Sequence, residues 1–127
     1  MNKSIAPMIY AALRIVAGFV YLSHGLQKFG MFGGPAQPLA LLSGSAATIE
    51  AVAGTLILLG LFTRPAAFVA SGQMAAAYFI AHIGNGLLPI QNHGDSAVLL
   101  SFMFLYVWAT GPGIGSVDGL LRGRSGS

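Results

Sequence analysis

Cysteine is absent from this sequence of 127 residues, and charged residues make up only 7% of it. The absence of cysteine excludes disulfides, thiolate-bound zinc, iron–sulfur clusters and a dithiol relay within the chain. The scarcity of charge excludes an ordinary soluble surface, because soluble domains carry about 25% charged residues. The sequence is instead 55% hydrophobic, with a mean hydropathy of +0.76. This composition predicts a single domain surrounded by lipid.

The few basic residues do not indicate nucleic-acid binding. Six basic and three acidic residues give a net charge of +3. The basic residues are scattered, with no dense patch and no interleaved aromatic residues, so no nucleic-acid partner is predicted. Their excess over acidic residues is instead a signal of membrane topology.

The apolar segments predict an all-α protein, a bundle of four transmembrane helices. The N-terminal run resembles a signal peptide, but it is long, contains Arg14 and lacks a small-x-small cleavage site, so it is predicted to be an uncleaved first span. A crossing helix needs about 20 residues, so the shorter second and fourth spans must use flanking residues. The predicted spans cover residues 8–29, 46–62, 66–88 and 97–110.

Lysine and arginine in the short connections predict the orientation, because cytoplasmic loops carry an excess of both. The two termini and the "TRP" turn at residues 63–65 are predicted to be cytoplasmic. Proline after Arg64 disfavours helix at that residue and can begin the next helix. The "GMFGGPAQPL" connection and the "QNHGD" loop are predicted to face outward. The cytoplasmic basic residues are Lys3, Arg64, Arg122 and Arg124, whereas Lys28 lies on the other side.

Polar residues of the first span form a stripe when the helix advances about 100° per residue. The stripe is predicted to face the other spans. Arg14, in its cytoplasmic half, is predicted to be structural, either by snorkelling to the phosphate level or by pairing with a backbone end in the "TRP" turn. On the third span, Ser71, Tyr78, His82 and Asn85 share roughly one face. The stripe of the first span consists of Arg14, Tyr21, His24 and Lys28.

Ionisable residues in the outer halves come from all four spans, including His24 and Lys28 of the stripe. This arrangement predicts a shared pocket open to the outside. Two alternatives stay open. Local ion pairs, such as Glu50 with Lys28, would merely neutralise charge, and Asp95 would be the N-cap of the fourth helix. The predicted ligand-binding residues are His24, Gln27, Lys28, Glu50, His82 and Asp95.

Three ligand classes can be compared for this pocket. His24 and His82 are the minimum for bis-imidazole haem ligation, but two histidines are a weak signal. No HxxxH or HxH spacing supports a metal site. A quinone requires only an apolar slot and one or two hydrogen-bond donors for its carbonyls, so a quinone is the favoured ligand. A carboxylate beside imidazoles could also move protons at neutral pH.

Several segments, in order, resemble the DoxX family of small bacterial membrane proteins. They are "LRIVAGFVYLSHGLQKFGMFGG", "IEAVAGTLILLGLFTRPAA", "NHGDSAVLL" and "GPGIGSVD". The resemblance implies four transmembrane helices in the bacterial inner membrane. The family commonly has N-G-G-E before the fourth span, whereas this chain has Asn92, His93, Gly94 and Asp95. The acid is kept but shortened, and the role of His93 is left open.

The resemblance also implies a redox context, because relatives resemble partners of an oxidoreductase assembly with a superoxide dismutase and a sulfurtransferase. Related DoxD-type proteins are subunits of thiosulfate:quinone oxidoreductase. The first hypothesis is therefore a redox-associated membrane subunit with a quinone-type pocket, active in oxidative stress. The alternatives are a scaffold or assembly protein without chemistry of its own and a small-solute carrier. Many small residues in the spans also allow a homo-oligomer.

Overall fold

The computed structural model describes residues 5–28, 41–82, 86, 88 and 94–124, and these residues contain helices and no strand. Side chains at positions 28, 41–43, 81, 82, 123 and 124 are not among those described. Five α-helices occur in this part of the chain, together with a π-helical turn, Tyr78–His82, that continues α3. The helices are α1 (Ile5–Lys28), α2 (Leu41–Leu59), α3 (Thr63–Ala77), α4 (Asp95–Thr110) and the short α5 (Val117–Arg124).

The four long helices pack around one core. The most extensive contacts join α1 to α2 and α3 to α4, and further contacts join α2 to α3 and α1 to α4. Each helix contributes to the core with small or aromatic side chains, so that the helices lie close together. Core members include Tyr21, Ile57, Ala70 and Phe104.

The exposed faces of the helices are more apolar than the surface of a soluble protein, while two charged residues are buried. Arg14 is 0% exposed and Glu50 is 1% exposed, whereas Phe19, Phe68 and Phe102 are all more than half exposed. Exposed apolar area on this scale marks contact with lipid or another protein. One helix, Ile5–Gln27, is long and apolar enough to cross a membrane, and Gly44–Leu59 and Asp95–Thr110 are shorter apolar helices.

The connection between α2 and α3 lies earlier than the sequence predicts. The chain turns at residues 60–62, and α3 already includes Thr63 and Arg64. Gly60 and Phe62 adopt positive φ angles of 71° and 48° there. Pro65 is the third helical residue. The backbone N–H at this position has no intrahelical acceptor, so its absence in proline costs no hydrogen bond. The expectation of a turn at residues 63–65 is therefore wrong by about one helical turn.

The third predicted span differs at its outer end. α3 gives way to the π-helical turn at Tyr78, and Gly86 and Leu88 are not helical. Gly86 has a φ of 147°, outside helical geometry. A π turn changes the angular register of the residues that follow it, so a face assigned at 100° per residue does not extend to residues beyond Tyr78. At the other end of the next helix, α4 ends at Thr110, the residue where the sequence predicts the break.

Candidate functional site

A chain of hydrogen bonds crosses the interior of the bundle from α1 through α3 to α2. The Tyr21 hydroxyl donates to Gln73 Oε1 at 2.9 Å. Gln73 Nε2 in turn donates to Glu50 Oε2 at 3.1 Å. Tyr21 and Glu50 are both buried, and Gln73 is half-buried. These three residues, which we call the polar cluster, place a carboxyl group in an otherwise apolar interior.

Neighbouring residues fix the geometry of the polar cluster. Gly25 follows Tyr21 by about one helical turn, and a Cβ atom at Gly25 would lie 2.8 Å from Glu50 Cβ. Only glycine therefore leaves room for α2 to bring the Glu50 side chain this close to α1. The Tyr21 ring packs edge-on against Phe104 of α4, with ring centroids 4.9 Å apart. The ring contact and the bond to Gln73 together hold the phenol in one orientation.

The polar cluster provides the chemistry that an apolar ligand with a polar group would need. A carboxyl group accepts hydrogen bonds when ionised and donates one when protonated, and a glutamine amide does both at once. Burying such groups in an apolar interior is unfavourable unless they are hydrogen-bonded. Ionisable residues at membrane depth are therefore functional candidates by default.

The sequence-predicted ligand residues fall into distinct groups. Glu50 belongs to the polar cluster, and His24 is half-buried on the α1 face that carries Tyr21. Gln27 and Asp95 are exposed. Lys28 ends α1 and His82 ends the π-helical turn, but their side chains lie outside the described part of the chain, as do Asn85 and His93 entirely. Among the residues predicted to be structural, Arg14, Tyr21 and Tyr78 are buried and Arg64 is exposed.

Two details of the predicted pocket need correction. Gly94, not Asp95, is the N-cap of α4, and it has no side chain to cap with; Asp95 is the first helical residue. Glu50 also lies at the middle of α2 rather than in the outer half predicted for its span, because α2 begins at Leu41 rather than Ala46. It is nine residues (50 minus 41) from that end, about two and a half turns. Glu50 Oε2 accepts the hydrogen bond from Gln73, which links it to Tyr21.

Arg14 binds a part of the chain that the sequence did not suggest. Its guanidinium donates to the carbonyl oxygens of Pro112, of Ile114 at 3.2 Å and of Gly115 at 2.9 Å. One helical turn earlier, the Tyr10 hydroxyl donates to the Gly111 carbonyl. The buried arginine therefore does not snorkel. It packs against the α2–α3 turn, where a Cβ atom at Gly60 would lie 3.2 Å from Arg14 Cζ, but its described hydrogen bonds go to the loop after α4 rather than to a backbone end in that turn. It holds the "GPGIG" loop after α4 against α1.

Asp118 of α5 makes the contact with the α2–α3 turn that was expected of Arg14. Its carboxylate accepts hydrogen bonds from the Phe62 N–H at 3.0 Å and the Thr63 N–H and hydroxyl, both at 2.9 Å. The Asp118 N–H donates to the Gly60 carbonyl. Burial raises the pKa of the Asp118 carboxyl, but the hydrogen bonds from Thr63 and Phe62 and the charge of Arg122 outweigh it and lower the pKa below its usual value.

Sequence reasoning missed Gln73 and Asp118 as functional or structural residues. Gln73 is the only glutamine in the stretch "AAFVASGQMAAAYFI", and a lone amide in an apolar helix is a usable signal. Asp118 is the last residue of "GPGIGSVD", where an acid directly after a glycine-rich loop is the available signal. The partners of these two residues could not be deduced, since the bonded residues are at least 23 positions apart.

Comparison with known proteins identifies the family. The sequence model named DoxX matches residues 9–83, which include Arg14 and the whole polar cluster. The chain belongs to the DoxX family. The resemblance drawn from the sequence motifs is thus confirmed.

Two relatives of this DoxX-family chain cover most of its length. An uncharacterized protein of Haemophilus influenzae is 41% identical over 123 residues, covering 88% of this chain and 90% of that protein. An uncharacterized membrane protein of Mycobacterium tuberculosis is 31% identical over 140 residues, covering 94% of this chain and 85% of that protein. No solved structure matches the chain. The family and the membrane-protein relative support a membrane location.

Proposed function

We propose that this chain is an integral membrane subunit of a redox-linked assembly, with a quinone-type pocket at the polar cluster. It would cross the bacterial inner membrane four times, with both termini in the cytoplasm. The exposed apolar side chains on all four long helices support this placement. The shorter apolar helices α2 and α4 would reach both interfaces by local thinning of the bilayer or with flanking residues.

The observation that carries the proposal is the hydrogen-bonded set of Tyr21, Gln73 and Glu50. Its groups fit a ligand that is mostly apolar and has a hydrogen-bonding carbonyl, since the surrounding interior is apolar. Gln73 would donate to the carbonyl, and Glu50 would hold or release a proton next to it. His24, half-buried nearby on α1, would supply a second donor. A bound quinone would supply the electron-carrying chemistry.

Quinone binding can be measured directly. The chain would be purified into nanodiscs of quinone-free lipid and titrated with a short-chain benzoquinone, with calorimetry as the readout. Loss of one hydrogen bond to the ligand in Glu50→Gln or Gln73→Leu is expected to weaken binding about tenfold. Thr48→Val is the matched control, because Thr48 is exposed on α2 and its described hydrogen bond stays within that helix, at Gly44.

Two results would contradict the quinone proposal. One is the absence of saturable binding to the folded wild-type chain. The other is an unchanged affinity in both Glu50→Gln and Gln73→Leu, because the ligand would then bind elsewhere. Melting curves of each variant show whether a loss of binding reflects a loss of fold instead.

A non-catalytic scaffold is the second candidate, and the contacts of Arg14 and Asp118 favour it. They fasten the loop after α4 and the α2–α3 turn into a rigid surface at one end of the bundle. Such a surface suits the docking of a membrane or soluble redox enzyme. On this hypothesis Glu50→Gln lowers the melting temperature of the chain while no quinone binds. Native mass spectrometry of the detergent-solubilised chain would show whether it forms a homo-oligomer.

A further inference from the structure

Two cavities meet at the turn between α2 and α3. The first, of about 310 Å³, lies between this turn, the loop after α4 and α5, and its lining includes Arg64, Asp118 and Arg122. The second, of about 460 Å³, runs along the outer surface of α2 and α3 and is lined almost wholly by apolar side chains. Phe62 and Pro65 line both cavities. A charged site therefore opens directly onto an apolar groove.

The charged cavity suits an anion. Its lining contains two guanidinium groups, on Arg64 and Arg122, and one carboxylate, on Asp118. The Asp118 oxygens already accept three hydrogen bonds from Phe62 and Thr63 and so are directed at the turn. Both arginines are exposed, and the charge of Arg122 also acts on the Asp118 carboxyl group. Arginine is the side chain best suited to phosphate oxygens, because its planar donors match them in pairs.

The same end of the molecule has the features of a membrane interface. Tyr106 and Trp108 are exposed on the last turns of α4, as in the aromatic belts of membrane proteins. The short helix α5 exposes Leu120 and Leu121 next to Arg122, the pattern of a helix that lies in the interface plane. The arginine pair therefore lies at the depth of lipid headgroups, and the apolar groove leads from it toward the bilayer centre.

We infer that the two cavities together bind one anionic phospholipid. Its phosphate lies between Arg64 and Arg122, and one acyl chain follows the groove past Val52 and Val69. Charge complementarity selects the anionic headgroup, and the apolar lining selects a lipid over a free phosphate. This inference requires the membrane placement proposed above but not the quinone pocket, which involves other residues.

Lipid binding would be tested by native mass spectrometry of the full chain in detergent. Phosphatidylglycerol and phosphatidylcholine with identical acyl chains would be titrated separately. We expect one retained phosphatidylglycerol, bound about tenfold more tightly than phosphatidylcholine. Arg64→Gln and Arg122→Gln should each weaken it about fivefold. Lys28→Gln is the control. It also removes one positive charge, but at the C-terminal end of α1, whereas the loop beside the charged cavity contacts the N-terminal half of that helix, so it should change binding by less than about twofold.

The groove is tested separately from the headgroup site. Val69→Trp should abolish retention of phosphatidylglycerol by filling the groove, and Val52→Trp is a second variant in case the first fails to fold. Both valines are about half exposed, so the larger ring needs no space in the core. Equal retention of the two lipids, an equal loss in Lys28→Gln, full binding in a folded tryptophan variant, or complete competition by glycerol 3-phosphate would each overturn the inference.

Discussion

Arg14 shows at the scale of one residue how a charge is accommodated inside this bundle. The guanidinium is fully buried, yet its donors reach carbonyl oxygens at Pro112, Ile114 and Gly115. Arginine presents several donors in a fixed planar fork, so it can serve carbonyls that point in different directions. The loop bound here has no regular structure, so its carbonyls do not take part in a helix or sheet ladder. Arg14 thus replaces the backbone partners that a helix or sheet would supply.

Replacement of Arg14 should destabilise the chain. Arg14→Leu removes the donor to the buried Pro112 carbonyl and the bonds to Ile114 and Gly115, and it is expected to lower the free energy of unfolding by about 3 kcal/mol or more. Arg14→Lys keeps the charge but cannot span all three carbonyls, so an intermediate loss is expected. The measurement is helical circular dichroism during titration with sodium dodecyl sulfate. Exposed Arg64→Gln is the control and should lie within about 0.5 kcal/mol of wild type.

Asp118 makes stability depend on pH, because its pKa is lowered in the folded chain. A lowered pKa means that the ionised carboxylate stabilises the folded state above the unfolded pKa, which is about 3.9 for aspartate. That contribution is lost as the pH falls through the lower folded value. Asp118→Asn keeps one acceptor oxygen but loses the charge, and it should destabilise the chain by about 1 kcal/mol at pH 7.

Comparison of wild type with Asp118→Asn over a pH series isolates this effect. The difference in unfolding free energy should stay constant from about pH 5 to 8 and shrink below about pH 4, as the wild-type carboxyl becomes protonated. The other titrating groups are common to both proteins and cancel in the difference. A difference that stays constant down to about pH 2, or that grows with acid, would be inconsistent with a lowered pKa at Asp118.

At the scale of helices, glycine determines how closely α1 and α2 approach. A Cβ atom at Gly18 would lie 2.8 Å from Leu58 N, and one at Gly54 would lie 2.8 Å from Leu22 N. These are backbone atoms, which cannot rotate away as a side chain could. Contact of this kind replaces the hydrophobic effect, which does not drive helices together within lipid. The sequence predicts this close packing from its small residues but does not identify which of them face a partner.

Two glycine substitutions of identical chemistry should have opposite outcomes. Gly54→Ala pushes α1 from α2 and is expected to cost about 1–3 kcal/mol of unfolding free energy. Gly72→Ala, also within a helix, meets nothing within 4 Å, so it should be neutral or stabilising by up to about 1 kcal/mol. Thermal unfolding in one detergent measures both. Equal destabilisation by the two variants would show that α1 and α2 do not pack at Gly54.

The contact between α3 and α4 uses serine instead of glycine. Ser71 donates to the Ser101 carbonyl at 2.8 Å, and Ser101 donates to the Ser71 carbonyl at 3.0 Å. Each hydroxyl thus satisfies a backbone group of the opposite helix, and the pair fixes the register of the two helices. The sequence places Ser71 on the same face as Tyr78, but it does not reveal the matching serine on α4.

At the scale of the whole molecule, apolar side chains dominate the exposed faces of the described long helices, and the described charged side chains are buried or lie near helix ends. This arrangement is stable in lipid, where exposed Phe, Val and Leu side chains carry no free-energy penalty. Polar groups inside the bundle must then form hydrogen bonds with each other, because no water is present. The natural absence of cysteine makes the proposed topology directly testable, because each introduced cysteine is the only thiol in the chain.

Single-cysteine labelling should report four spans with both termini in the cytoplasm. In spheroplasts, a membrane-impermeant maleimide should label Asn92→Cys at once, and Ser4→Cys and Ser127→Cys only after permeabilisation. The cysteine-free wild-type chain is the background control. Labelling of Ser4 and Asn92 from the same side would mean an even number of crossings between them, instead of three, and would contradict the four-span topology.

Composition and periodicity determined the coarse properties of this protein. Scarce charge and long apolar runs predict helices in lipid, and the helical stripe predicts that Arg14 and Tyr21 face inward; both side chains are buried. These inferences succeed because hydropathy and helical period act over neighbouring residues. Family membership also followed from local motifs and is confirmed by the match over residues 9–83.

The tertiary structure alone decided which polar groups meet. Tyr21, Gln73 and Glu50 come from three helices, and Arg14 bonds a loop about a hundred positions away, at a separation of 101 residues for Gly115. The start of α2 at Leu41 set the depth of Glu50, and the π-helical turn set the register beyond Tyr78. Hydrogen-bond partners of this kind depend on how helices are rotated and shifted against each other. That rotation is fixed by packing at a few glycine and serine contacts, and a single sequence records the residues but not their pairing.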